Sequence, residues 1–235
     1  MRNMIAYTST AAALALAISG VVAVNYAQAD GHSSNEMSFF ITSDGPGDGA
    51  NLGGLAGADA HCTALATAAG SSKTWRAYLS TSMVIDRSEG RPFKITDGVS
   101  ARDRIGKGPW YNAKGVQIAA GLYSLHLPSV NINKTTGLDE NGNPIKARGE
   151  KPNEHDLLTG SDTQGHFSTA GGDTTCGNWT KNGEGSAIVG HHDRAGLNKS
   201  LNMVSWNSSH GTRGCGEDDL PNTGGAGLFY CFAID

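Results

Sequence analysis

The stretch GLFYCFAI, residues 227–234, is a strong signal for a β-strand because it is short, aromatic and apolar. It includes Cys231. A second aromatic and β-branched segment, MSFFITS at residues 37–43, predicts a first strand. Chain ends often lie close together in a domain. We therefore expect these two strands to be neighbours.

The segment between the strands begins with a helix signal. Apolar residues recur at helical spacing from Leu55 through Cys62 to Ala69, and Gly70 is a natural stop. Cys62 belongs to the buried side of this helix. The stretch TWRAYLST, residues 74–81, alternates as a half-buried strand does. Between residues 134 and 205 regular periodicity largely vanishes, which predicts a long, irregular and functional region.

Composition and charge limit the class of protein. The chain has 235 residues, of which 33 are Gly, with 18 Lys and Arg against 22 Asp and Glu. No basic patch is present, so nucleic acid is excluded as an expected partner. Glycine weakens helices, so the composition favours a loop-rich fold.

Residues 1–29 have the features of a signal peptide: Arg2, an apolar run at residues 11–24 and the sequence AQA before the expected cleavage site. The run is shorter than the about 20 residues that a membrane helix needs. We therefore expect an exported, periplasmic or extracellular protein without a stable membrane span, the alternative being an uncleaved anchor. Residues 30–36 are a polar lead-in, and residues 37–235 form a single domain.

The four cysteines follow the predicted signal peptide: Cys62, Cys176, Cys215 and Cys231. An even count behind an export signal predicts two disulfides. Spacing alone leaves all three connectivities open. No CxxC pair is present, which argues against a zinc ribbon or a thioredoxin-like redox motif.

The order of these features resembles the C-type lectin-like superfamily. The stretches NLGGLAGADAHC, TWRAYLS, ARDRI, TCGNWT and GLFYCF resemble a bacterial branch of secreted lectin-like proteins, related in fold to endostatin. The resemblance covers about residues 39–233. It implies an α+β domain of small antiparallel sheets with two helices and a long irregular loop region. It also implies the pairs Cys62–Cys231 and Cys176–Cys215.

Sugar-binding members of that superfamily hold calcium with a Glu-Pro-Asn or Gln-Pro-Asp motif and a Trp-Asn-Asp motif. KPNEHD at residues 151–156 and SWNSSH at residues 205–210 correspond in order. Lys151 and Ser208 stand where acidic residues belong, although Ca²⁺ prefers carboxylates among its oxygen ligands. We expect no cofactor, and if calcium binds, its ligands are Asn153, Glu154 and Asn207.

The run GHHDR at residues 190–194 places two histidines beside a carboxylate. Adjacent residues of an extended chain point to opposite sides, so only one of His191 and His192 can easily face a given site. A zinc site would then need His155, His166 or His210. No HExxH or GxSxG motif is present, and we assign no catalytic residue.

The preferred prediction is non-catalytic recognition of a glycan or a cell-surface protein. Polar side chains that bind hydroxyls, together with aromatic rings, are concentrated in the late half of the chain. The expected binding surface comprises Asn153, Glu154, Asp156, His191, His192, Asp193, Trp206, Asn207 and His210. One alternative is a metal-assisted hydrolase that uses His191 or His192 with His210. Another is an envelope structural or protein–protein interaction module. For each single residue, pairing with irregular backbone is a further alternative.

Overall fold

The computed structural model describes residues 36–88 and 90–235. The expected signal peptide and almost all of the polar lead-in lie outside the described residues. The described part is an α+β structure with short strands, few helices and two disulfides. The disulfides join Cys62 to Cys231 and Cys176 to Cys215, which confirms the implied pairing. No helix in this part of the chain is long and apolar enough to span a bilayer.

Most of the regular elements are short, and the first helix and the last strand are the longest. The helices are α1 (Gly54–Ala68) and α2 (Leu122–Leu125), and 3₁₀ turns cover Ala101–Asp103 and Leu220–Asn222. The strands are β1 (Phe39–Ile41), β2 (Trp75–Ala77), β3 (Val84–Asp86), β4 (Lys94–Thr96), β5 (Trp110–Tyr111), β6 (Gln117–Ala119), β7 (Asp156–Leu158), β8 (Ile188–His191), β9 (His210–Gly211) and β10 (Gly225–Ala233).

Strand β10 is the centre of the main sheet. Its second half lies between β1 and β2, antiparallel to both, so the expected neighbourhood of the first and last strands is confirmed. Its first half pairs with β7 in parallel, and β8 and β9 continue the sheet antiparallel to their neighbours. The expectation of antiparallel sheets is therefore wrong at this pair. The long connection from β7 to β10 permits the parallel crossover, which no tight turn could make.

Both faces of β10 are covered, which explains its nearly unbroken apolar sequence. One core cluster, which includes Phe40, Leu158 and Phe229, lies on the side of helix α1. The other includes Tyr78 and Tyr230. The disulfide Cys62–Cys231 ties α1 to β10. The sheet is therefore a buried layer from whose ends polar side chains can project.

Helix α1 buries one charged residue, Asp59. Its carboxylate accepts hydrogen bonds from Arg104 at 2.7 and 2.9 Å, from Arg76 at 2.7 Å and from the backbone N–H of Ala77 at 2.9 Å. Both oxygens of this carboxylate therefore have charged donors. The network ties α1 to β2 and to the segment that follows the first 3₁₀ turn.

The irregular region is ordered around a left-handed turn at Cys176–Trp179. All four residues have positive φ, between 47° and 68°. The Asp173 carboxylate accepts the N–H groups of Thr175 and Gly177, and the buried Trp179 ring donates to the carbonyl of Ser80 at 2.8 Å. Left-handed backbone is unfavourable for most residues, so these contacts and the Cys176–Cys215 disulfide must hold the turn.

Candidate metal centre

Three short strands bring histidines and an aspartate together at one end of the main sheet. Asp156 of β7 lies directly opposite His191 of β8, and Val189 of β8 lies opposite His210 of β9. Residues opposite each other, or two apart along a strand, share a face of a sheet. Asp156, His191 and His210 therefore project from the same face.

The nitrogen atoms of three imidazole rings converge on one oxygen of Asp156. Its Oδ1 atom lies 3.2 Å from His155 Nε2, 3.2 Å from His191 Nε2 and 3.6 Å from His210 Nε2. The Nε2 atoms of His191 and His210 are 3.0 Å apart. The rings of His155 and His191 stack with centroids 4.4 Å apart. We call these four residues the histidine cluster.

The opposite nitrogen of each ring has an acceptor. His155 Nδ1 lies 3.2 Å from Asp193 Oδ1, His191 Nδ1 lies 2.8 Å from the carbonyl of Met203, and His210 Nδ1 lies 3.2 Å from the carbonyl of Gly211. A carbonyl or an ionised carboxylate can only accept, so each Nδ1 carries the ring hydrogen. In the neutral rings, every Nε2 atom that faces the cluster is consequently a bare lone pair.

With its rings neutral, the cluster therefore contains electron-pair donors and no N–H to link them. The side chain of Asp156 is fully buried, and neither of its oxygens has a hydrogen bond within the described residues. Leaving a buried carboxylate unpaired is costly, because its lost hydration is not replaced. A cation at the centre of the cluster would satisfy all four residues at once.

Charged groups in and around the cluster shift each other's pKa values. Burial would raise the pKa of Asp193, but hydrogen bonds from His155, Arg148 and Ala195 outweigh burial and hold that pKa well below its usual range. Asp193 is thus ionised and fixes the hydrogen on His155 Nδ1. Burial would lower the pKa of His191, but the Asp156 carboxylate and the Met203 carbonyl outweigh it, so the net shift is upward.

Two glycines allow the close approach of the surrounding segments. A Cβ atom at Gly190 would overlap the carbonyl of Trp206, so only glycine lets the segment before β9 cross β8. A Cβ at Gly224, where φ is 113°, would lie 2.6 Å from Asn153 Nδ2 and 2.8 Å from His155 Cδ2. The absence of a side chain at Gly224 therefore leaves room for His155, and its absence at Gly190 lets the segment before β9 pass close to β8.

The donor set fits a transition metal of the zinc type. One donor atom from each of His155, Asp156 and His191 lies within 4.8 Å of the other two, and His210 adjoins this trio as a more exposed fourth residue. Tetrahedral ligands of Zn²⁺, bound at about 2.0–2.2 Å, are separated by roughly 3.3 Å. The contacts of 3.0–3.6 Å agree with that spacing. Imidazole suits Zn²⁺, whereas Ca²⁺ requires oxygen ligands.

The cluster forms part of the wall of a cavity of about 480 Å³, a size typical of small-molecule sites. His155, His191 and His210 line this cavity, whereas Asp156 is buried beneath them. The other lining residues are Arg148, Asn153, Gly196, Leu197, Met203, Arg213, Asn222 and Thr223. A cation held by the cluster would thus lie beside a space large enough for a second molecule.

The expected binding residues divide between this cavity and other places. His191 faces the cluster, whereas His192 is buried elsewhere, with Nε2 3.3 Å from the carbonyl of Lys146. Burial lowers the pKa of His192. Asn153 lines the cavity, and Asp193 lies behind His155. Glu154 is half-buried and is not among the lining residues.

Trp206 and Asn207 lie in a different environment. Trp206 is 3% exposed and packs against Tyr78 and Tyr230, as a core aromatic does. The Asn207 amide donates to Tyr78 Oη and to the carbonyl of Asp162, each at 3.0 Å, and its oxygen accepts from Ser205. Both residues line a second cavity, which does not include Asn153. The calcium ligand set of Asn153, Glu154 and Asn207 remains a prediction. Asn153 lines the first cavity, Asn207 lines the second, and Glu154 lines neither of the two.

Sequence reasoning named three members of the histidine cluster but left His155 out of the expected surface, and it missed Arg148 and Arg213. A signal for His155 is present: Asp156 begins the otherwise apolar run DLL, and the same His-Asp order recurs at residues 192–193. An aspartate at a buried strand position is unusual and marks its neighbours. No comparable local pattern identifies the two arginines, which enter through the folding of separate loops.

Comparison with known proteins adds no family to these observations. No protein-family model matches the sequence, and no curated protein matches it. The functional argument consequently rests on the geometry of the histidine cluster and on the cavity beside it.

Proposed function

We propose that the protein binds one divalent transition-metal ion, with Zn²⁺ the best fit, through His155, Asp156 and His191. His210 lies next to these ligands on the cavity side. The observation that carries the proposal is a fully buried carboxylate that has no hydrogen bond within the described residues and is surrounded by three imidazole nitrogens whose lone pairs face it. This departs from the preferred sequence-based prediction of non-catalytic recognition and develops the alternative of a metal-assisted hydrolase.

The partners outside the cluster support a metal rather than a set of structural histidines. Histidines that bind metals almost always donate their other ring N–H to a carboxylate or a carbonyl, and such partners orient the ring. His155 has Asp193, His191 has the Met203 carbonyl and His210 has the Gly211 carbonyl. All three rings therefore have the tautomer and the orientation that a metal ligand needs.

We further propose that the centre serves metal-assisted chemistry, such as hydrolysis. When bound, an ion of this kind polarises a carbonyl or phosphoryl oxygen and acidifies a coordinated water. A catalytic site keeps a coordination position for water or substrate, and the cavity beside His191 and His210 offers that access. Asp193 would hold the His155 ring in place during the reaction, and His210 would form the exposed edge of the site.

Metal titration of the chelator-treated protein tests the proposal. We expect one Zn²⁺ per chain by mass spectrometry and calorimetry, and loss of binding in His191→Ala and in Asp156→Asn. His192→Gln is the matched control, because it removes the adjacent histidine, which lies outside the cluster. Equal zinc affinity in His191→Ala and in the unaltered chain would refute the site, as would failure of the unaltered chain to bind any transition metal.

A C-type lectin-like fold, and with it recognition of a glycan or a cell-surface protein, is the second candidate. The two disulfide pairings and the β1–β10 contact favour it, because they agree with the pattern that the sequence resembles. Export to the periplasm or beyond is part of the same proposal and is compatible with the two disulfides. Binding on a glycan array that is insensitive to chelation and to Asp156→Asn would favour this candidate over the metal-centred one.

A further inference from the structure

The charged side chains that line the cavity beside the histidine cluster are all basic. Arg148 and Arg213 both line it, and among the described residues none that lines it is acidic. Its remaining polar lining consists of neutral groups from Asn153, Asn222 and Thr223. A small molecule in this cavity would therefore meet positive charge from the arginines, and additional positive charge from a bound metal.

The two arginines differ in their hydrogen-bond partners within the protein. Arg148 is anchored, because its Nη1 donates to the Gly196 carbonyl and its backbone N–H donates to Asp193 Oδ2 at 2.7 Å. Arg213 makes no hydrogen bond or ion pair with the residues that the structure describes. A guanidinium presents several N–H donors in a fixed planar array, which matches the oxygens of a carboxylate or phosphate. Arg213 thus has its full donor set available for a ligand.

We infer that the cavity binds a small molecule with an oxyanion group, a carboxylate or a phosphate, between the metal centre and the guanidinium groups of Arg148 and Arg213. This inference rests on the proposed metal centre. Met203 and the largely exposed Leu197 supply an apolar wall for the remainder of the ligand. The charge of the lining thus selects an anion, and the apolar wall favours an organic one.

The test uses the full mature chain loaded with Co²⁺, whose visible spectrum reports changes at the metal. Inorganic phosphate, acetate and uncharged acetamide are titrated separately. We expect a saturable spectral change with phosphate or acetate and none with acetamide. Response to one anion alone identifies that oxyanion as the preferred group. Loss of one charged hydrogen bond costs about 1.5–3 kcal/mol, so Arg213→Gln and Arg148→Gln should each weaken binding by roughly tenfold or more.

Arg91→Gln is the control, because Arg91 is exposed and packs near the Phe93 ring, away from the cavity lining. Co²⁺ uptake without an anion response would overturn this inference and leave the metal centre intact. Equal anion affinity in Arg213→Gln, Arg148→Gln and Arg91→Gln would overturn it as well. Failure to take up Co²⁺ or Zn²⁺ would overturn the metal centre and, with it, the anion site.

Discussion

Two buried aspartates on the same sheet-and-helix framework have opposite surroundings. Asp59 of α1 accepts hydrogen bonds from two arginines and one backbone N–H. Asp156 of β7 is more deeply buried, yet neither of its oxygens has a hydrogen bond within the described residues, and its neighbours are imidazole nitrogens. The first carboxylate has its counter-charges inside the fold. The second has an electron-rich shell that only a proton or a metal ion can neutralise.

The contrast teaches how to separate structural from functional charge by the hydrogen-bond donors around each group. A buried carboxylate with its donors in place stabilises the contacts between elements, and removing it leaves buried arginine behind. A buried carboxylate without donors destabilises the fold. A protein retains such a group when a ligand supplies the missing partner. The helix side and the histidine cluster should therefore respond differently to the same kinds of substitution.

The largest effect is expected at the covalent link of the helix side. Replacing Cys62 and Cys231 with Ala should lower the free energy of unfolding by about 5 kcal/mol, because the disulfide closes a loop of 169 residues. The same change at Cys176 and Cys215, 39 residues apart, should cost about 4 kcal/mol. Urea unfolding measures both. A cost below about 1 kcal/mol for each pair would contradict the chain-entropy argument.

Asp59→Ala gives the next largest effect and defines the helix side of the comparison. It leaves the Arg104 side chain, which is 11% exposed, without its counter-charge, and we expect a loss of about 3–5 kcal/mol. Arg76→Ala is the milder control, because the Arg76 side chain is 44% exposed and partly solvated. If both variants unfold at the same urea concentration as the unaltered chain, the network contributes nothing measurable.

The sequence predicts the helix side better than the histidine cluster. Helical spacing identifies α1 and places Cys62 on its buried face, and the aromatic run identifies β10. These are local signals, in which neighbours along the chain report the same environment. The disulfide partners do not follow from spacing and came from the resemblance. The parallel β7–β10 pair depends on a long crossover that no local pattern encodes.

The histidine cluster is harder to predict because its members lie on three strands of two to four residues each. Alternation correctly indicates that only one of His191 and His192 faces the site. Nothing in the sequence shows which one, since that depends on the register of β8 against β7. The burial of Trp206 in the core is equally hard to predict, because tertiary packing decides whether an aromatic residue of a loop faces solvent.

Removal of metal tests the cluster side directly. If the centre holds Zn²⁺, chelation should destabilise the protein by about 2.7 kcal/mol relative to a sample with free metal at 100 times the dissociation constant. Thermal unfolding with and without chelator measures this shift. Asp59→Ala should retain it, although both of its melting temperatures are lower. Asp156→Asn should lose it. An unchanged melting curve for the unaltered chain would remove the distinction between the two aspartates.

The smallest expected effect is the stability change that Asp156→Asn causes in the metal-free protein. The sign of this change, and not its size, tests the assignment. The pKa of His191 is raised above its ordinary value of 6.5, so its protonated form stabilises the fold fully below that value. This contribution is lost as the pH rises through the raised pKa. Asp156→Asn removes the carboxylate that favours the protonated ring. The variant should therefore be less stable than the unaltered metal-free chain at pH 5, by about 1 kcal/mol.

Above the raised pKa of His191 the expected sign reverses. The His191 ring is then neutral, its Nε2 lone pair faces the Asp156 carboxylate, and that carboxylate has no hydrogen-bond donor within the described residues. An amide in its place carries no charge and can donate an N–H to an imidazole nitrogen, so Asp156→Asn should be more stable by about 1 kcal/mol. Urea unfolding of chelator-treated protein at pH 5 and at a pH above that pKa measures both signs. A loss of several kcal/mol at both, as expected for Asp59→Ala, would mean that Asp156 has structural donors and that the two aspartates are alike.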